Sequence, residues 1–213
     1  MLATAQPDAP EVPMDIRQPL FTIGPLRAIE LGDGDVPALQ AFFEANPEYF
    51  LAVTGQPPRP DEGRREFEDR PPAGMPYTRQ TMLGFFDADP EPAGIASICS
   101  DLFAHRVWHI GLFIVATSLH GSGVAGPIYQ ALEGWMHDQG AQWIRLGAVI
   151  GNLRAERFWS KVGYTEVRQR GGIEMGTKVN TLRVMVKPLA GGEIVDYLDL
   201  VTRDRPDPSS YSS

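Results

Sequence analysis

The segment Trp108–Ala116, WHIGLFIVA, is the most apolar stretch of the chain and runs straight into a glycine-rich turn. Apolar residues at successive positions leave a strand no face to turn toward water, so it must be covered on both sides. Its continuation adds to that demand. TSLHGSGVAGP is followed by an amphipathic stretch, Gly123–Gln139, with Val124, Ile128, Ala131, Leu132 and Trp135 on one side. A second apolar run, Gln142–Val149, follows. Two doubly buried strands flanking a helix require further helices and strands to close the core.

The rest of the chain supplies them. Leu26–Leu31 reads as a short strand, and folded structure is expected to begin near Leu26. Asp33 or Asp35 can cap a helix reaching Asn46, where Asn46-Pro47 ends it. A second helix is predicted around Asp61–Asp69. Gln80–Asp87 and Ala93–Leu102 read as strands joined by DADPEP. Leu153–Val162 reads as a helix with Ala155, Phe158, Trp159 and Val162 on its inner face. Tyr164–Arg170 and Lys178–Lys187 read as a hairpin that completes the sheet, and Ile194–Val201 as a short helix. The order β-α-α-β-β-β-α-β-α-β-β gives an α/β (α+β mixed) class, a mixed sheet with helices on both faces. Residues 1–19, with four prolines, are expected to be a flexible arm. Residues 20–189 form the folded domain, and 190–213 a C-terminal extension, partly disordered from Arg203 on.

Charge narrows the partners. The chain of 213 residues has 19 basic and 27 acidic residues, a formal net charge of -8. That balance argues against nucleic acid, which needs a basic face, and against an anionic membrane. No apolar run approaches the ~18 residues needed to span a bilayer, and the acidic, proline-rich start does not resemble a signal peptide. A cytoplasmic protein is the expectation. The single cysteine, Cys99, excludes an internal disulfide framework and a cysteine-built zinc site, and reads as a small buried hydrophobe.

Gly121-Ser122-Gly123-Val124-Ala125-Gly126 matches G-x-G-x-x-G. A loop of this kind feeding a helix offers free N–H groups and a positive helix end to phosphate oxygens. The same glycines could serve only a tight turn. The dinucleotide-binding reading lacks an immediate turn after the strand, and QWIRLGAV ends without the acidic residue needed for a ribose. No Gly-Lys-Ser/Thr is present for a P-loop.

The two ends of this region together resemble the GNAT superfamily of acyl-CoA-dependent N-acetyltransferases. His120-Gly121-Ser122-Gly123-Val124-Ala125 is similar to that family's Gln/Arg-x-x-Gly-x-Gly/Ala loop, and Phe113-Ile114-Val115 to its preceding strand end. The segment from Asn152 to Tyr164 is similar to its Asn-x-x-Ala-x-x-(Phe/Leu)-Tyr-x-x-x-Gly-Phe stretch. The resemblance implies a mostly antiparallel sheet whose two parallel central strands, 108–116 and 142–149, splay apart. It implies acetyl-CoA as cosubstrate, with the backbone of Phe113, Ile114 and Val115 on the pantetheine and residues 120–125 on the pyrophosphate. Asn152, Phe158 and Trp159 would line the pantetheine arm. It also implies a small-molecule or peptide amine acceptor, direct attack through a tetrahedral intermediate, and a homodimer. His120 stands in place of the usual Gln or Arg, Trp159 in place of the tyrosine that often acts as acid, and Gly147 where some members carry a glutamate base.

Acyl transfer needs a neutral amine, and alkylamines have a pKa of about 10, so a base or a water chain must take the proton. His109 is the candidate base: it precedes Val115 by six residues on one strand, which at period 2 puts both on one face. Asp101 is the second candidate, alone or with His109 through a water. The tetrahedral oxyanion needs a donor, and the resemblance implies the Val115 N–H. His105 and His109, on one strand, are about 13 Å apart and cannot share a metal, so none is assigned. Glu48, Tyr49 and Phe50 fall where the family walls its acceptor pocket, and would favour an amine with an apolar body. A non-catalytic acyl-CoA-binding module and a nucleotide-dependent enzyme remain as alternatives.

Overall fold

A computed structural model describes residues 17–206. One sheet of eight strands carries everything else, in the order β1-β2-β3-β4-β5-β6-β8-β7. The strands are β1 (Phe21–Ile23), β2 (Leu26–Glu30), β3 (Arg79–Phe86), β4 (Gly94–Ser100), β5 (Val107–Val115), β6 (Trp143–Val149), β7 (Thr165–Met175) and β8 (Lys178–Pro188). The helices are α1 (Val36–Ala45), α2 (Glu48–Thr54), α3 (Glu62–Glu68), α4 (Ala125–Asp138), α5 (Leu153–Lys161) and α6 (Ile194–Leu200). Every neighbouring pair of strands is antiparallel except β5 and β6. The mixed sheet with a parallel central pair, expected from the resemblance, is therefore present.

Each face of the sheet has its own core. On one, Ile128, Tyr129, Leu132 and Met136 of α4 and Trp159 of α5 pack on Trp108, Ile110, Ile144 and Leu146. On the other, Leu39, Phe42, Phe43 and Phe50 of α1 and α2 pack on Ile95, Leu112 and Ile114. Beside that second core, Tyr197 of α6 joins Val107, Trp143 and Val184. The doubly buried reading of β5 follows from these covers: its alternate side chains go to opposite cores.

Several expectations need correction. Folded structure begins before Leu26, because β1 pairs with β2 from Phe21 onward. Of the expected arm, residues 1–16 lie outside the described residues, while Arg17 is ion-paired to Asp35 at 2.5 Å. Glu48–Thr54 is a helix in its own right, restarted by Pro47 at its N-cap, where proline's missing N–H costs nothing. Arg203 onward is not loose throughout. Thr202–Asp204 forms a short 3₁₀ turn and Asp204 is fully buried; residues 207–213 lie outside the described residues.

Candidate active site

The parallel pairing of β5 with β6 stops at Ile110 and Leu146, although the strands run on to Val115 and Val149. Beyond that point the two strands have no ladder between them. A cleft of about 1630 Å³ occupies the gap and reaches both faces of the sheet. Phe113, Tyr129, Phe158 and Trp159 line it on one face; Asn46, Tyr49, Val53, His109, Arg145 and Arg170 line it on the other.

Backbone direction follows from the ladder. The Ala116 N–H donates to the Ala93 carbonyl, on the β4 side. Successive residues of a strand point their polar groups to opposite edges, so Val115 and Phe113 turn theirs toward the gap. Ile114 turns its own toward Ile95 of β4 and buries its side chain in the second core, so it only edges the cleft. The Val115 carbonyl is already taken, by Nε2 of His120 at 3.0 Å.

The loop after β5 makes one 3₁₀ turn, Thr117–Leu119, before α4 begins at Ala125. Gly121 and Gly123 have φ of 84° and 86°, a region costly for residues with a Cβ, and a Cβ built on either would meet open space. Conformation, not crowding, explains both glycines. Among the described residues the N–H groups of Gly121, Gly123 and Ala125 have no internal acceptor, whereas those of His120 and Ser122 close turns within the loop. Ser122 Oγ donates to the Leu119 carbonyl and accepts from the Val124 N–H. The result is a cradle of outward N–H groups at the start of a 14-residue helix, suited to an anion.

His120 does not point into that cradle. Its Nε2–H donates to Val115, and its Nδ1 faces the Arg154 guanidinium, which also bonds Glu48 at 3.1 Å. Asn46 makes a second tie: its Oδ1 accepts from the Thr117 N–H at 2.6 Å while its Nδ2 caps α1 at the Phe42 carbonyl. Asn46 and Arg154 thus fix α1, α2 and α5 around the glycine loop. Sequence reasoning missed both ties, because Asn46 meets Thr117 across 71 residues and Arg154 meets Glu48 across 106. Asn152 caps α5 through Oδ1 to the Ala155 N–H and stands at the cleft edge.

His109 departs from its expected position. Leu112 pairs with Ser97 but Ile110 with Ile98, leaving Gly111 as an extra residue in β5. This bulge shifts the alternation by one. Trp108, Ile110, Phe113 and Val115 therefore share the α4–α5 face, and His109 lies on the opposite face from Val115. There it lines the acceptor-side half of the cleft, bonded through Nδ1–H to the Arg145 carbonyl at 3.0 Å. Burial, and next the Arg145 charge, push its imidazole down to about 3. A ring with that value stays neutral across the working range and holds a proton poorly.

Asp101 is placed elsewhere. It follows β4 at φ 54°, accepts from Thr78 Oγ1 and the Arg106 N–H, and lines a separate cleft with His105 and Arg79. No residue is common to the two clefts, so Asp101 is a turn-forming carboxylate and does not join His109. Phe50 is also corrected: it is 2% exposed and packs on Phe43 in the core, leaving Glu48 and Tyr49 at the cleft. Trp159 is 7% exposed, wedged among the rings of Phe113, Tyr129 and Tyr164. Tyr129 donates to Glu133 and lies 3.1 Å from Tyr164 Oη; burial drives its hydroxyl well above its ordinary value. Among the described residues no three His, Cys, Asp or Glu side chains gather to hold a metal, and no helix is long and apolar enough to cross a membrane.

The sequence pattern of the acetyltransferase (GNAT) family matches residues 39–164. No curated protein sequence matches the chain. Among solved structures it is similar to an acetyltransferase from Thermus thermophilus, with a TM-score of 0.61 and 21% identity over 79% of this chain and 100% of that one. A spermidine N-acetyltransferase from Vibrio cholerae, in complex with CoA and spermine, gives 0.59 and 15% over 78% and 96%. A ribosomal-protein-alanine N-acetyltransferase from Escherichia coli gives 0.57 and 12% over 79% and 96%. At these identities the likeness is one of fold.

Proposed function

The chain belongs to the acetyltransferase (GNAT) family and is an acyltransferase, and on that premise we propose that it moves an acetyl group from acetyl-CoA to a primary amine. The observation that carries the reading is the unpaired gap between β5 and β6, which opens onto the N–H cradle of the glycine loop at one end and onto His109 at the other. A phosphate-bearing, extended molecule fits such a path. Its pyrophosphate meets the N–H groups of Gly121, Gly123 and Ala125, and its amide-containing arm lies along the outward polar groups of Phe113, with the Val115 N–H left for the acyl group. The rings of Phe113 and Phe158, stacked at 5.8 Å, give that arm an apolar wall.

Acetyl-CoA supplies the activated acyl group. The chain's own contributions are positional and electrostatic. The Val115 N–H faces the gap and donates to the oxygen that gains charge when the amine attacks, a preorganised donor. His120 holds the Val115 carbonyl and so fixes the orientation of this peptide. His109 offers a neutral Nε2 to the incoming amine or to a water beside it. Because its imidazole sits at about 3, it orients the nucleophile, and the proton passes on to solvent. No tyrosine occupies position 159; a thiol's pKa is near ~8.5, so the departing thiolate can be reprotonated by water.

The test is release of free thiol from acetyl-CoA in the presence of a broad panel of amines, followed by mass analysis of the acceptor. A chain that binds CoA but releases no thiol with any amine would instead be a binding module.

A further inference from the structure

The acceptor-side half of the cleft has an unusual floor. Arg145 donates to Asp204 through Nε at 2.6 Å, and Arg170 donates to the same carboxylate through Nη2 at 2.8 Å. Asp204 also accepts from the Tyr197 hydroxyl at 2.6 Å and is fully buried. A third guanidinium, that of Arg203, lies 4.3 Å from the Phe103 ring, against which Arg145 also packs. Three guanidinium groups therefore crowd one carboxylate. The crowding is felt: burial, then the Arg170 and Arg145 charges, hold Arg203 below its ordinary value.

Uncompensated charge in a buried setting is costly, and a site that keeps it gains when a counter-charge arrives. Arg145 and Arg170 line the cleft, with side chains 9% and 24% exposed. Asp204, behind them, does not line it. The surplus thus faces the acceptor and the compensation faces the core. Met175, Leu182 and Val53 line the same half, so the positive floor sits within an apolar wall. Arg145 lies within the stretch matched by the family pattern, but Arg170, Tyr197 of α6 and Asp204 on the turn after it lie beyond that stretch.

We propose that the acceptor is an amine bearing a carboxylate on an apolar body, with the carboxylate held by Arg170 and Arg145. This rests on the transferase reading above and names its substrate class. Arg145 and Arg170 share one Asp and Arg203 adds a third positive charge beside them, so the floor keeps a positive surplus that an incoming carboxylate reduces. The planar fork of a guanidinium also matches a carboxylate's two oxygens. A polyamine would bring further positive charge to the same floor and be repelled.

The experiment compares matched amines: apolar amino acids, their amides, the decarboxylated amines, and an aminophosphonate of the same body. Thiol release is measured with acetyl-CoA, and binding to the CoA-loaded chain by calorimetry. The expected result is a preference of roughly tenfold or more in kcat/KM for the carboxylate over its amide. Arg170→Gln should cut that preference below about threefold with CoA affinity unchanged, and Arg170→Lys should restore part of it. Equal or better use of the amides, the decarboxylated amines or the aminophosphonate overturns the proposal, as does a preference that survives Arg170→Gln. If Arg170→Gln does not fold, the wild-type comparison alone decides. The two readings fail separately. Thiol release without a carboxylate preference overturns the substrate class and leaves the transferase. Carboxylate-selective binding with no thiol release for any amine overturns the transferase and leaves the anion site.

Discussion

His109 makes a sharp prediction about acid stability. Its imidazole ordinarily titrates near 6.5 and is pushed down to about 3 by burial and by Arg145. In the unfolded chain both influences vanish. Between those values the unfolded chain therefore binds a proton that the folded chain refuses, and stability must fall as pH falls. The contribution is fully present above about pH 6.5 and is lost at about 1.36 kcal/mol per pH unit down toward pH 3. At pH 4.5 the loss from this one group, relative to pH 7, is about 2.5 kcal/mol. His109→Asn removes the titrating ring while its side-chain amide can still donate toward the Arg145 carbonyl. Urea unfolding of both proteins at pH 7 and pH 4.5 isolates the effect, because every other titrating group is common to the pair. The wild type should lose about 2.5 kcal/mol more than the variant over that interval. A difference below about 0.5 kcal/mol would mean that the imidazole is protonated in the folded chain, and the account of its environment would be refuted. The same neutrality has a kinetic side: kcat/KM should rise with pH along the amine's own ionisation, with no separate limb near ~6.5.

Gly123→Val, at φ 86°, should weaken CoA binding by at least about tenfold, roughly 1.4 kcal/mol, through strain and a blocked cradle; calorimetry reads this directly. Trp159→Phe should change kcat less than about tenfold, whereas Trp159→Ala, which empties a site among four rings, should cost on the order of 3–5 kcal/mol in unfolding free energy. A hundredfold slowing of the chemical step in Trp159→Phe, with CoA affinity intact, would make the indole N–H a donor in the transition state. Asp101→Asn should leave kcat/KM within about twofold, since Asn tolerates the left-handed backbone there and the residue lies in the other cleft; a large loss would return Asp101 to the reaction.

The features legible along the chain are those whose causes are local. The apolar runs of β5 and β6 and the glycines at 121 and 123 are each read within a few residues, because burial preference and left-handed φ are short-range properties. Two motifs in order were enough for the family. Features that depend on strand pairing emerge only in the assembled sheet. The bulge at Gly111 exists only in the register of β5 against β4, and it reverses the face on which His109 stands. The insertion of β8 between β6 and β7 is likewise a choice of neighbour, not of pattern. Arg145 meets Asp204 across 59 residues, and Arg154 meets Glu48 across 106. Periodicity tells which side chains leave water, but not which distant charge they will meet there. The acidity of His109 and the positive floor beside it are therefore properties of the assembled sheet alone.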